Sequence, residues 1–200
     1  MTEEIIKKLG PLSVLAGTWG GEKGNDDAPS PDRKKQTRKY REQIIGEPLG
    51  PINNHEQELY GLRYSRAVWR IDNDQPFHED LGYLLWDSAE KQVLRCFVIP
   101  RGVAINAGGT VEPDAREFTL TADVGSMTYG VSSNKFLDRE FKTIKFVHKI
   151  FIHDENSFSY EETTYLQIKG QKEVFNHVDK NTLVKLKMDV STFDDVKANI

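Results

Sequence analysis

Thr143-Ile144-Lys145-Phe146-Val147-His148-Lys149-Ile150-Phe151-Ile152 is followed by His153-Asp154-Glu155-Asn156 and then by Phe158-Ser159-Tyr160-Glu161-Glu162-Thr163-Thr164-Tyr165-Leu166-Gln167-Ile168. Ile144, Phe146, His148, Ile150 and Ile152 share one parity, and Phe158, Tyr160, Thr164, Leu166 and Ile168 share another. Side chains alternate faces along a strand, so period two sustained this long reads as strand. The polar tetrapeptide between the two runs is a turn signal. Two strands joined by so short a turn form an antiparallel hairpin.

The same alternation extends outward in both directions. Tyr60, Leu62, Tyr64 and Val68 lie on one face of a long run, with Leu59, Arg63, Ala67, Trp69 and Ile71 on the other. Val93, Phe97 and Ile99 line one face of another run, and Phe118, Leu120 and Ala122 alternate with polar residues. Thr182, Val184, Leu186 and Met188 close the series. Asp72-Asn73-Asp74-Gln75-Pro76 and Asp87-Ser88-Ala89-Glu90 mark further turns, Pro100-Arg101-Gly102 a bend, and Gly108-Gly109 a bulge or close backbone approach. The spacing predicts about ten antiparallel strands. So many short strands must close on themselves or split into two sheets to protect their edges. A closed barrel of eight or more strands has room for a cavity.

The remaining segments are assigned by charge and by helix and turn signals. Thr2, Glu3 and Glu4 suit the start of a short helix, Lys7 and Lys8 its end, and Gly10-Pro11 its stop. Residues 1–11 are therefore expected as a helix and lead-in, 23–36 as a polar loop carrying Arg33-Lys34-Lys35, and 189–200 as a C-terminal tail of one domain spanning 1–200. A net charge of -4 lacks the basic field that nucleic-acid binding needs. No apolar run approaches the length of a membrane-spanning helix, and the first twenty residues carry no secretory pattern. The single Cys96 cannot form an internal disulfide. A cytoplasmic protein with no nucleic-acid or membrane partner is the expectation, and homodimerisation is compatible with exposed aromatic strands.

The residues offer two candidates for chemistry. The five histidines show no zinc spacing, and neither a nucleophile elbow nor a phosphate loop occurs. Glu162 shares its parity with Phe158, Tyr160, Leu166 and Ile168. If that face points inward, the carboxylate needs a partner such as Arg or Tyr, as a structural ion pair or as part of a ligand site. His177 lies in Phe175-Asn176-His177-Val178-Asp179-Lys180-Asn181, before the last strand. It reads either as a turn residue or as an imidazole facing the cavity, able to ligate the iron of a planar cofactor.

Gly17-Thr18-Trp19-Gly20-Gly21 resembles the opening GxWxGxG element of the nitrobindin family, also called fatty-acid-binding-protein-like. Lys23 stands at the third glycine position, with Gly24 one place later. Phe77-His78-Glu79-Asp80-Leu81-Gly82-Tyr83 resembles that family's His-containing segment, and Tyr160-Glu161-Glu162-Thr163-Thr164 its penultimate strand. The elements occur in the family's order across residues 12–188. The resemblance implies an all-β, ten-stranded antiparallel barrel of calycin (lipocalin-like) type with a short N-terminal helix. It also implies a structural motif of Gly17, Trp19 and Gly21, the Trp plugging the barrel base. Ferric haem b would be held through His177 as metal ligand, with His78 near the pocket. The implied activity is on peroxynitrite or nitric oxide, as a peroxynitrite isomerase. Pro100-Arg101-Gly102, Gly108-Gly109 and Ser132 to Leu137 look like insertions of a longer-looped branch.

A second reading stays open: a lipocalin-like carrier of a fatty acid or other small apolar ligand, without haem. Its polar end would be Glu162 paired with an inward Arg41, Arg63 or Arg95.

Overall fold

The computed structural model describes residues 2–186. The expected tail at 189–200, like Met188 of the last alternating run, lies outside these residues, as does the side chain of Thr2. Helix α1 (Thr2–Ile6) and a 3₁₀ turn (Gly10–Leu15) lead into eleven strands. These are β1 (Gly17–Pro29), β2 (Lys35–Asn54), β3 (Gln57–Arg70), β4 (Pro76–Asp87), β5 (Gln92–Ile99), β6 (Val103–Thr110), β7 (Glu117–Val124), β8 (Gly130–Ser132), β9 (Phe141–Asp154), β10 (Ser157–Ile168) and β11 (Phe175–Lys185). A second short helix, α2 (Lys135–Glu140), precedes β9.

The strands close into a barrel in the order β1-β11-β10-β9-β7-β8-β6-β5-β4-β3-β2, and β2 pairs back onto β1. The hairpin that opened the sequence reading is β9–β10, with Tyr160 opposite Ile150 and Glu162 opposite His148. Two details differ from the ten-stranded antiparallel expectation. The barrel has eleven strands, and the additional β8 pairs parallel with β7 through Asp123↔Gly130 and Val124↔Val131. Three residues cannot display a period, so β8 has no signature in the sequence.

Residues 23–36 also differ from the expected loop. Lys23 to Pro29 continue β1, Lys35 opens β2, and only the segment between Pro29 and Lys35 turns. These strand ends are rich in Lys, Asp and Gln because their outward side chains are solvated, which masks the alternation. Lys23 sits at an irregularity, where the β1–β2 register shifts between Gly21 and Gly24. Gly24 then packs against the Tyr40 ring, 2.2 Å from where a Cβ would stand. The bulge thus moves the glycine requirement one residue along the chain. The stretch around Ser132 to Leu137 contains the start of α2, whose first turn is capped by the Asn134 side chain accepting from the Phe136 and Leu137 amides.

One end of the barrel is closed by the N-terminal segment. Leu9, Leu12 and Leu15 pack with Trp19, Leu62, Trp86, Phe158 and Leu183 in an apolar plug. Trp19 is fully buried, its Nε1 donates to the Leu15 carbonyl at 3.0 Å, and its ring meets Phe158 edge-on at 4.8 Å. A buried indole with its N–H satisfied contributes its full apolar area.

Gly82 is opposite Phe97 across the β4–β5 ladder. A Cβ there would lie 2.0 Å from the Cys96 carbonyl oxygen, a backbone atom with no freedom to move aside. Gly82→Ala is expected to destabilise the barrel by about 1–3 kcal/mol through forced spreading of that ladder. Urea unfolding checks this, and an unchanged midpoint would contradict it.

Candidate functional site

The opposite end of the barrel opens into a cavity of about 510 Å³, within the range of small-molecule and cofactor pockets. Its walls carry Phe77, Phe97, Phe141 and Phe146 with Ile99 and Ile105, and Leu137 of α2 borders it. Apolar aromatic walls suit a flat or aliphatic ligand.

The cavity floor is a buried ionic layer across the middle of the barrel. Arg66 from β3 donates to Glu42 at 2.6 Å through Nε, to Glu162 at 2.9 Å and to Asp179 at 2.7 Å. Arg95 from β5 donates to the Tyr64 hydroxyl at 3.0 Å, reaches Asp80 at 3.3 Å and pairs closely with Glu162. Tyr160 donates to Glu42, and Asn181 donates to Glu42 at 2.7 Å. Every donor nitrogen of both guanidinium groups has a partner. Such saturation is what allows two full charges to sit in a barrel interior.

Electrostatics follow from this geometry. Burial works to raise the pKa of Asp80 and of Glu162, but neighbouring hydrogen bonds and guanidinium groups outweigh it and hold both below the usual carboxylate range. For Asp80 the lowering comes from the hydrogen bond with His78 and then from the Arg95 guanidinium, and for Glu162 Arg95 leads. Glu42 goes the other way, because burial outweighs the help from Arg66. His148, whose Nδ1 lies 2.9 Å from Arg95, is pushed down to about 3 by burial and then by that guanidinium. It is a neutral imidazole, accepting from Arg95.

Glu162 therefore sits in the floor beneath the cavity, held by two arginines. Of the three arginines considered as its partner, only Arg95 points inward. Arg41 and Arg63 face solvent and pair with Asp74 and Glu47. Their odd places in β2 and β3 put them on the outer face, since Tyr40, Glu42, Leu62 and Tyr64 take the inner one.

His177 and His78 both border the cavity, on β11 and β4. His177 Nε2 is 2.7 Å from Asp26 Oδ1, and its side chain is one-third exposed. Burial disfavours the imidazolium, but the Asp26 carboxylate outweighs this and raises the His177 pKa above its ordinary value. His78 Nε2 lies 3.2 Å from Asp80 Oδ2. Phe77, the neighbour of His78 in the chain, also borders the cavity, where the β3–β4 register slips between Val68 and Trp69. Cys96 is half-buried on the outer face and donates to Asn106 at 3.1 Å, away from the cavity.

Asp26, Arg38, Arg66 and Asp179 escaped the sequence reading. Asp26 and Arg38 fall in the segment that reads as a loop. Arg66 had a usable signal, since it shares the parity of the bulky Tyr64 and Val68.

The pair Asp26–His177 has a pH signature. A raised imidazole pKa stabilises the fold below the ordinary imidazole pKa, and this contribution fades as pH rises through the raised value. Asp26→Asn is expected to remove most of this dependence, measured as the unfolding midpoint between pH 5 and 9. A wild-type profile indistinguishable from that of the variant would contradict the ion pair.

Among the described residues no cluster of three or more His, Cys, Asp or Glu could hold a metal ion, and no helix is long and apolar enough to cross a membrane. Among curated proteins no match is found. Among solved structures the chain is similar to the crystal structure of Rv2717c from M. tuberculosis, with a TM-score of 0.64 at 18% identity, covering 92% of this chain and 98% of that one. That likeness concerns the fold. Residues 8–185 match the family described as THAP4-like, heme-binding beta-barrel domain. The eleven-stranded barrel, its plugged base and its open cavity are thus those of a member of the THAP4-like, nitrobindin-like haem-binding β-barrel family, to which this chain belongs.

Proposed function

We propose that this barrel binds ferric haem b, with His177 as the residue that would hold the iron, and that it acts on peroxynitrite or nitric oxide. The observation that carries the reading is His177 itself, which borders the cavity with its ring tied to a buried carboxylate. Metal-ligating histidines commonly donate their other ring N–H to a carboxylate, which orients the ring and raises its basicity. Asp26 is placed to do this for His177, leaving the opposite ring nitrogen to offer its lone pair. A single imidazole is enough for haem iron, so a cluster of three ligands is not required. The donor set and the aromatic walls fit the group.

When bound, the iron would supply a Lewis-acidic, redox-active centre for small nitrogen oxides. The chain would do the rest. Phe97, Phe146 and Ile105 exclude water from the inner wall. His78, hydrogen-bonded to Asp80, holds an exchangeable proton at its ring on another wall. Asp26 keeps His177 oriented. Because Asp26 also favours the imidazolium, proton and iron compete for the same ring. Haem affinity is therefore expected to rise as pH increases through the raised His177 pKa and to fall below it.

Haemin titration of the purified protein, followed in the Soret region, tests the reading. A saturable band with a one-to-one endpoint is expected. No Soret shift at any pH between 6 and 9 would overturn it.

The second reading is a carrier of an apolar acid without haem. Glu162 and Arg95 are poorly placed to serve as its polar end, since every donor nitrogen of Arg95 is already engaged. What favours a carrier is the guanidinium of Arg38, which borders the cavity.

A further inference from the structure

Three neighbouring strands place a second charged group beside His177. Asp26 on β1 is in register with Arg38 on β2 and with Asp179 on β11. Asp26 therefore bridges two cationic side chains. Its Oδ1 takes His177, and its Oδ2 faces Arg38 Nη1 at a long 3.4 Å. Arg38 Nη2 donates to Gln36 at 3.0 Å, an exposed contact. Arg38 Nε is shielded from solvent and has no hydrogen-bond partner among the described residues. The Arg38 side chain borders the cavity and is only 23% exposed.

This contrasts with Arg66 and Arg95. Those two have a buried partner on every donor nitrogen, whereas Arg38 has one long contact, one solvent-facing contact and one shielded nitrogen unfilled. An unfilled shielded donor on a charged group is costly. A guanidinium so loosely held can turn to present two parallel donors to an incoming carboxylate. The aromatic walls beyond it accept the apolar body of the same molecule.

We propose that Arg38 is the anchor for the carboxylate of the cavity ligand, and that the ligand is an apolar or planar molecule with an acidic edge. The proposal rests on the cavity being the ligand site. A haem propionate and a fatty-acid head group present the same chemistry to Arg38, and the experiment separates them.

Haemin and its uncharged dimethyl ester are titrated into wild type, Arg38→Gln and Arg38→Lys, and dodecanoate and dodecanol are titrated by calorimetry. If haem is the ligand, wild type prefers haemin over the ester. Arg38→Gln weakens haemin by roughly 10- to 100-fold, the range for loss of a charged hydrogen bond. The ester is unaffected, Arg38→Lys recovers part of the loss, and the Soret maximum stays in place because His177 is untouched. If no Soret band forms, the haem reading fails alone, and Arg38 is judged on dodecanoate, which must bind and lose affinity in Arg38→Gln while dodecanol does not. Should Arg38→Gln fold poorly, the acid-over-ester and acid-over-alcohol preferences of wild type decide. Equal loss for charged and uncharged ligands, no loss, no acid preference in wild type, or no binding of either acid overturns the proposal.

Discussion

His177→Ala is expected to abolish axial ligation of ferric haem, with the Soret maximum moving to that of haem held only by apolar contact and affinity falling by more than the roughly 10–100-fold that loss of an outer partner costs. The expectation follows from position. His177 and His78 both border the cavity, but they differ in support. His177 is held by Asp26, whereas His78 is committed through its Nε2 to Asp80, which belongs to the ionic floor. His78→Ala is therefore expected to keep the axial band. Imidazole added to His177→Ala should restore part of it, because the cavity left by the side chain opens into the larger one. An unchanged spectrum in His177→Ala, or its loss in His78→Ala, would move the ligand to another residue. Asp26→Asn provides the intermediate case: the axial band persists, and the pH at which haem is captured shifts downward.

Arg66→Met should cost about 3–5 kcal/mol of stability, the range for removing one partner of a buried ionic group. Arg66 neutralises Glu42, Glu162 and Asp179, all within 2.9 Å of its nitrogens. Methionine fills much of the volume and leaves those carboxylates facing one another with Arg95 as the remaining cation. The floor holds two guanidinium groups against four carboxylates, Glu42, Asp80, Glu162 and Asp179, so it has no spare positive charge. Denaturant unfolding at pH 7 measures the loss. The double change Arg66→Met with Glu42→Gln should recover part of it, since Glu42 is the carboxylate whose charged form burial already disfavours. Recovery absent, or a single variant as stable as wild type, would show that the layer is not held by charge. The pH sign is also defined. Asp80 and Glu162 have depressed pKa values, so their stabilisation is present above the ordinary carboxylate range and is lost as pH falls through their depressed values.

How much of this was legible depends on what each residue's neighbours in sequence reveal. The β9–β10 hairpin was legible because its inward positions are Phe146, Ile150, Phe158, Tyr160 and Leu166, large enough to show period two. The end of β1 and the start of β2 were not. Their cavity-facing positions are Asp26, Ala28 and Arg38, and polar groups lining a cavity look like a loop. The site shares that obstacle, since a ligand cavity is where inward residues depart from the apolar pattern. His177 stood out in the sequence as an imidazole before the last strand, and the family resemblance gave it a role. Its partner Asp26 is 151 positions away in sequence and joins it only because β11 closes onto β1.

The sequence by itself determined an all-β chain with hairpin connectivity, because alternation and turn chemistry are local properties, and its resemblance to a known family added the tryptophan-plugged base and the role to test for His177. The tertiary structure decided the eleventh strand, the parallel β7–β8 contact, the saturated ionic floor and the company His177 keeps. Those depend on barrel closure and register, which bring Asp26, Arg38, Arg66 and Glu162 from four strands to the walls and floor of one cavity. No local pattern encodes which strands become neighbours when a sheet closes.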